Sequence, residues 1–317
     1  MIGSAILARM ERIALSDQER ASQQLTPANL AAACEAIRRD GVVVLEQAVP
    51  AGVLERLRTR MDEDTEALLA FQAARGGNPR AEGHLQQGPP PFAPYVSLDV
   101  TANPFAIAVS KHMLGEGAYL AFYNGNTNLP GSVYQAVHLD QPHLWSPAQG
   151  DAAPPYSLIV NISPMDCHAG NGAVELWPGS HRVMDAYEGN HVPPHLLDAR
   201  RRHSPPVRCV TRAGDVAIRD SRLWHRGVPN LSSEARHMVA SIHAAPWYQR
   251  RRQLEFGEDC RSLLDAVDFD FNAVFTSDPI DYLFGPTREI YDRTGIWRDD
   301  RAAAEREAAK SGRLPGK

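Results

Sequence analysis

The sequence predicts a mainly β protein with flanking helices, built on an antiparallel double-sheet barrel or sandwich. Three observations carry this expectation. Apolar residues recur at helical spacing in the first hundred residues; from about Ala118 the pattern becomes short pieces of about 4–8 residues separated by Gly, Pro, Asn and Asp; and seven such pieces follow one another with turn signals between them.

In chain order, Thr26-Pro27 joins a helix cap to a proline in the first turn, and Leu30, Ala33, Cys34 and Ile37 keep helical spacing until Asp40-Gly41 stops it. Val42–Leu45 is a β-branched run. Pro50 opens a second helix with Val53, Leu54, Leu57 and Met61 on one stripe, ending at Arg75-Gly76-Gly77, and Asn78–Pro94 is a proline-rich loop. The predicted strands are Tyr119–Tyr123, Val133–Leu139, Ser157–Ile162, Ala173–Trp177, Val207–Thr211, Asp215–Arg219 and Met238–Ala244. Beyond Glu258, Phe269, Phe271, Phe275, Tyr282, Phe284 and Tyr291 are expected to cover the core or a partner surface, and the charged ending Arg298–Lys317 to fray in solvent. No repeat of about 20–50 residues stands out.

Composition bounds the function. Against 38 Asp+Glu there are 33 Lys+Arg in 317 residues, a formal charge of −5, which argues against nucleic acid or an anionic membrane as partner. Hydrophobic residues at 43% and charged ones at 22% fit a soluble globular chain with a sizeable core. The four cysteines form no CxxC pair, so neither a thiolate zinc site nor a disulfide framework is expected, and a reducing compartment fits. Arg9, Glu11 and Arg12 interrupt the apolar start, and no apolar run approaches about 18 residues, so a cytoplasmic, non-membrane protein is expected. The organisation expected is one domain over residues 1–317, with a helical N-terminal elaboration to about 115, a β core over about 116–247 and a C-terminal extension.

The chemistry gathers at His138-Leu139-Asp140, because residues i and i+2 of a strand face the same way and both side chains can reach one ion. A second imidazole from another strand would complete two histidines and one carboxylate, the set that holds non-haem Fe(II) and leaves positions open. His225, after the strand Asp215–Arg219 and before a Gly-Val-Pro-Asn turn, is the candidate. Taken singly, an H-x-D tripeptide is often a polar surface pair and a lone histidine often structural. Arg236 opens the next strand, where its planar fork suits the far carboxylate of a dicarboxylate that chelates the metal; a surface arginine at a strand start is the alternative.

His138-x-Asp140, the stretch from Gly170-Asn171-Gly172 to Pro178-Gly179-Ser180-His181, and His225 followed eleven positions later by Arg236 together resemble the phytanoyl-CoA dioxygenase (PhyH) family of Fe(II)/2-oxoglutarate oxygenases. The resemblance runs from about Thr26 to Trp247. It implies a double-stranded β-helix, the cupin-like jelly roll, with His138, Asp140 and His225 as iron ligands. Fe(II) would be the metal, 2-oxoglutarate and O2 the cosubstrates, and Arg236 the partner of the distal carboxylate. Similar positions in relatives put Gln135 and Tyr123 beside the cosubstrate, with a polar strand residue and a core tyrosine as the plainer readings. His181 is expected to be structural, and His143, His168 and His243 are not expected to be ligands, because they lack a same-face partner at the required spacing. Gly227 departs from members that carry Ser two residues after the distal histidine. Asp140 argues for oxygenation, since halogenating relatives vacate that position.

The resemblance implies oxidation of an unactivated C–H in a small, mostly apolar molecule, as in secondary metabolism, by hydroxylation or by desaturation, epoxidation or rearrangement. The partner is then a small-molecule substrate, and a homodimer is the candidate assembly. An acyl-CoA hydroxylase, with Arg200-Arg201-Arg202-His203 meeting the anionic cofactor tail, is the alternative within the family. A zinc hydrolase and a non-catalytic jelly-roll binding protein are the alternatives outside it. The loop Gly76–Pro94, the segment Asp185–Pro206 and the aromatic tail are the candidate lids.

Overall fold

The structure, a computed structural model, describes residues 10–78, 82–145, 153–184, 190–248 and 252–285. The expectations for the first nine residues, the start of the segment Asp185–Pro206, Tyr291 and the charged tail lie outside these.

The chain opens with β1 (Glu11–Ala14) and α1 (Asp17–Ser22). Next comes α2 (Pro27–Asp40), begun where the Asn29 N–H donates to Thr26 Oγ1 at 3.2 Å and ended at Gly41 with φ 80°. β2 (Val42–Glu46) and α3 (Ala51–Ala73) follow. β3 (His84–Gln86) lies inside the stretch expected to be loop, and α4 (Pro104–Leu114) and the long β4 (Tyr119–Asn128) lead into the core. The core continues through β5 (Ser157–Ile162), β6 (Glu175–Leu176), α5 (Pro194–His203), β7 (Val207–Arg208), β8 (Val216–Asp220), β9 (His225–Arg226) and β10 (Arg236–Ala244). β11 (Leu254–Gly257), α6 (Arg261–Asp265) and β12 (Ala273–Thr276) complete the described chain.

Seven strands form one large sheet in the order β1-β2-β8-β5-β10-β4-β3, antiparallel throughout except for β1 beside β2. The N-terminal region, expected to be a helical elaboration, thus also supplies three strands of this sheet. A smaller sheet, β7-β6-β9, faces it.

Strand alternation sorts the large sheet into two faces. Val43, Leu45, Leu158, Val160, Val216, Ile218 and Val239 point outward and pack with Ala33, Cys34 and Ile37 of α2, Leu57 and Met61 of α3, and Phe105 and Val109 of α4. Their neighbours Val42, Ile159, Asn161, Ala217, Arg219, Met238, Ala240 and Ile242 point inward and line a cavity between the sheets. The mainly β, jelly-roll expectation therefore holds, with a two-faced sheet as its working part.

Two expectations change, and a third resolves to one of its alternatives. Val133–Leu139 is an extended segment and not a regular strand, for a reason that belongs to the site. The segment Asp185–Pro206, expected to be a lid loop, contains α5, whose Leu196 and Leu197 pack against buried Trp177 and Trp224. The tail aromatics cover the core: Phe269 and Phe271 are buried in it, the Phe284 ring stacks on Phe71 at 4.6 Å, and the Tyr282 hydroxyl donates to Asp64 Oδ2 at 2.6 Å. Among the described residues all four cysteines are free and no helix is long and apolar enough to cross a membrane.

Asp215 ties the first strands to β8. Its buried carboxylate accepts from the Gln47 N–H and the Arg212 N–H, each at 3.0 Å, and from Arg12 Nη2 at 2.6 Å. Asp215→Ala is expected to cost roughly 2–4 kcal/mol of unfolding free energy, because a charged acceptor is removed and two backbone donors are left without a partner. A denaturant midpoint equal to that of the wild type would remove Asp215 from this role.

Candidate active site

Two chain segments meet edge to edge at the site. The His138 N–H donates to the His225 carbonyl and the His225 N–H to the His138 carbonyl, each at 2.9 Å, which sets the two imidazoles side by side with ring centroids 4.3 Å apart. Further along, the Gln135 N–H donates to Gly227 O at 3.0 Å. From residue 135 to 138 is three steps, whereas from 227 back to 225 is two. One extra residue therefore sits in the first segment, as in a β-bulge, and reverses its facing. This is why Val133–Leu139 makes no regular strand, and why Gln135 and His138 both reach the cavity.

The grouping of His138, Asp140 and His225, which could hold a metal ion, then follows from alternation. Val137 and Leu139 point away and pack with Trp177, Val192 and Trp224, leaving His138 and Asp140 turned inward. One ligand atom from each of His138, Asp140 and His225 falls within 4.8 Å of the others. Each imidazole is fixed by its own chain: Nδ1 lies 2.8 Å from Ala136 O in His138 and 3.0 Å from Leu223 O in His225. A carbonyl only accepts, so each Nδ1 carries the proton and each Nε2 keeps its lone pair, which is the tautomer that binds a metal.

Electrostatics supports the same state. Burial, with His225 alongside, pushes the His138 imidazole down to about 4 against the pull of Asp140, so it stays neutral. Burial would raise Asp140, but the Arg219 charge and the two histidines outweigh it and hold the carboxyl well below its ordinary range. Arg219 Nη2 lies 2.7 Å from Asp140 Oδ2, while Oδ1 is the atom 3.5 Å from His225 Nε2.

The cavity measures about 300 Å³ and holds all three residues. Arg236 stands at its far end, 3% exposed, with Nη2 donating to Gly172 O at 3.1 Å and with Nε and Nη1 lacking any partner in the protein. Unmet buried guanidinium donors call for an anionic acceptor. Gln135 also lines the cavity, its Oε1 accepting from the Gly227 N–H at 2.8 Å. A Cβ on Gly227 would come within 2.6 Å of His84 Cε1 and 2.7 Å of Gln135 Oε1. The volume a serine would need there is therefore taken.

Tyr123 is the one expected residue not brought to the cavity. Its neighbours Phe122 and Asn126 of β4 face inward. Tyr123 faces the helical layer, where its hydroxyl is 3.0 Å from Thr101 Oγ1, its ring packs on Phe256, and burial raises its pKa. The other histidines have structural neighbours: His181 Nε2 contacts Arg38 O at 3.1 Å, His243 Nδ1 contacts Ser110 Oγ at 2.7 Å, and the Gly170 N–H donates to His168 Nδ1 at 3.2 Å. None of them, nor His143, lines the cavity.

Sequence reasoning missed Arg219, Asn161, His84, Gln86 and Asn126, all of which line the cavity. The parity of β5 and β8 held a signal for the first two, since polar Asn161 and Arg219 interrupt otherwise apolar strands.

The chain matches the family model described as Phytanoyl-CoA dioxygenase (PhyH) over residues 37–238, and it belongs to that family. It is a 2-oxoglutarate-dependent non-haem iron dioxygenase, using Fe(II), 2-oxoglutarate and O2. The hydrolase and binding-protein alternatives fall with this assignment. Dioxygenase af480 of Aspergillus fumigatus is 28% identical over 149 residues, 47% of this chain and 44% of that protein, so the match spans less than half the relative's length. The uncharacterized protein Rv1501 of Mycobacterium tuberculosis is 24% identical over 244 residues, 74% of this chain and 80% of its own. The solved structure of AviO1 from Streptomyces viridochromogenes Tue57 superposes with a TM-score of 0.50 at 20% identity, covering 70% of this chain and 98% of that one, and so shares the fold.

Burial of neutral histidines makes stability depend on pH. His138 is lowered to about 4 and His243 to about 3 from an ordinary 6.5, so the unfolded chain takes up protons first. Their contribution is whole above about pH 6.5 and is lost as pH falls toward 4, at up to ~1.4 kcal/mol per pH unit for each group. Denaturation of metal-free protein between pH 7.5 and 5 is expected to show this fall; a flat profile would mean that both imidazoles accept protons in the folded state.

Proposed function

We propose that His138, Asp140 and His225 hold the iron, that Arg236 binds the distal carboxylate of 2-oxoglutarate, and that the enzyme hydroxylates an unactivated C–H of a small molecule with an apolar body. The observation that carries this reading is Arg236: a buried guanidinium with two unpartnered nitrogens, in the same cavity as a His-Asp-His set whose tautomers suit a metal. When bound, iron with 2-oxoglutarate and O2 supplies the oxidising power that removes hydrogen from carbon. The chain supplies position. Gly172 O steadies Arg236; Ala136 O and Leu223 O orient the two imidazoles; Arg219 takes one oxygen of Asp140 and leaves the other toward His225. Gln135 and Gly227 close the wall beside them, and Phe122, Ile159 and Ile242 offer the substrate an apolar surface that keeps water from the reacting carbon.

A small substrate is favoured over an acyl-CoA thioester by the use made of the basic cluster. Arg200 donates to Pro178 O, and the Arg201 guanidinium lies over the Trp177 ring at 5.3 Å, so both brace α5 against the small sheet. Hydroxylation is favoured over halogenation because Asp140 fills the position a halide would need.

His138→Ala, Asp140→Ala and His225→Ala should each abolish iron uptake, read by metal analysis after anaerobic loading, while circular dichroism stays native. Full iron occupancy in any of them would strike that residue from the ligand set. With iron retained, Arg236→Lys should weaken 2-oxoglutarate binding at least tenfold, since the two-pronged bond is lost and charge-assisted bonds contribute about 1.5–3 kcal/mol each. Calorimetry showing unchanged affinity would place the dicarboxylate elsewhere. Turnover with chloride present should release succinate and give oxygenated, unchlorinated product; chlorine in the product would refute the role of Asp140.

A further inference from the structure

A second set of unmet donors lies at the other end of the cavity. Arg219 is 6% exposed; its Nη2 meets Asp140 Oδ2 at 2.7 Å and its Nε donates to Asn161 Oδ1 at 3.3 Å, but Nη1 has no partner. Asn161, with its Oδ1 engaged by Arg219, likewise has a buried Nδ2 without a partner. Both residues line the cavity.

The sheet register separates these donors from Arg236. Arg219 pairs with Ile159, and Ile159 with Ile242, so Arg219 shares a row with a residue six positions along β10 from Arg236. At about 3.4 Å per residue the backbone positions of the two rows are roughly 20 Å apart along the strand, and the side chains reach into the cavity from its opposite ends. The row also holds Val42 and Phe122, which pair with Arg219 and Ile242 and line the same cavity. The far row therefore combines an apolar floor with two free donors beside the metal-ligand carboxylate.

Charge gives a second, independent argument. Among the described residues lining the cavity, the formally charged ones are Asp140, Arg219 and Arg236, which leave one positive charge. A divalent cation and a 2-oxoglutarate dianion cancel one another, so the excess persists when both are bound. An uncompensated buried charge is costly.

Resting on the oxygenase reading above, we propose that Arg219 Nη1 and Asn161 Nδ2 form an oxyanion-binding site for the oxidised substrate, which is thus an apolar molecule bearing one carboxylate or comparable anionic oxygen. Holding that oxygen beside the metal fixes which carbon faces the oxidant. The same donors could instead meet the near carboxylate of 2-oxoglutarate, and the test separates the two sources.

The probes are soluble pairs of opposite charge: benzoate against benzylamine, 2-naphthoate against 2-naphthylmethylamine, and octanoate against octylamine. Wild-type protein saturated with Mn(II) and 2-oxoglutarate should bind at least one acid tenfold or more tightly than its amine, and its protons should relax faster than in the matched Zn(II) sample, placing it by the metal. Asn161→Ala and Asn161→Leu, which both keep the Arg219–Asp140 pair, should each reduce that preference at least fivefold with 2-oxoglutarate affinity changed less than threefold. Absence of acid preference in the wild type, or its survival in both variants, would overturn the proposal. A tenfold loss of 2-oxoglutarate affinity in both variants without loss of acid preference would overturn it too, by assigning the donors to the cosubstrate. A wild type that takes up neither Mn(II) nor 2-oxoglutarate would sink the oxygenase reading alone, because the acid preference is measurable on metal-free protein.

Discussion

The site depends on one reciprocal backbone contact, the pair of hydrogen bonds between His138 and His225. Because the two residues exchange both bonds, their side chains emerge on the same face at the spacing of directly opposed strand positions. Neither imidazole then has to search for the other. Asp140, two residues on, is held by its own N–H to Ser221 O at 3.0 Å, so all three side chains are placed by main-chain geometry before any metal arrives. What remains for side chains is orientation, which the carbonyls of Ala136 and Leu223 supply locally.

Local fixing leaves the long-range problem to the Asn-Gly to Ser-His stretch. Its strand β6 pairs with β9, with Leu176 opposite His225, while Ser180 Oγ accepts from the Trp224 N–H at 2.9 Å. At its other end, Gly172 adopts φ 81° and offers its carbonyl to Arg236; a Cβ there would strike Asn128 Nδ2 at 2.3 Å. One short segment thus touches both the distal histidine and the arginine eleven residues after it. A glycine is needed where it passes between Asn128 and Val228, and this gives the stretch a physical reason for its composition.

Much of this was legible in the sequence, and the failures have specific causes. The His138/Asp140 pairing followed from strand alternation, and α2 from its cap, stripe and stop. Tyr123 was placed beside the cosubstrate by resemblance to relatives alone, and strand alternation corrects it to the plainer reading of a core tyrosine: on β4 the inward set includes Phe122 and Asn126, so the odd-numbered Tyr123 between them faces the helices. The bulge near Gln135 could not be seen in Val133–Leu139, because an extra residue in a strand leaves the apolar count unchanged and shows only in the partner's register. α5 was hidden because Arg200, Arg201, Arg202 and His203 give it a polar face with no buried residue, so it lacks the stripe that marks a core helix.

Arg219 was passed over for a reason that bears on how the cavity works. A charged residue within an apolar strand reads as an edge or surface position, yet β8 is flanked by β2 and β5 and has both faces covered. Such a position tolerates a guanidinium only because Asp140 meets it, and Asp140 stays ionised in turn because Arg219 does. Each makes the other's burial bearable, so Asp140 and the wall of the cavity form one electrostatic unit. Arg236 has no such partner within the chain, its one hydrogen bond being to a neutral carbonyl. The two arginines therefore differ in kind: one has a counter-ion that the fold provides and keeps a single nitrogen unmet, whereas the other has no anionic partner within the chain and keeps two.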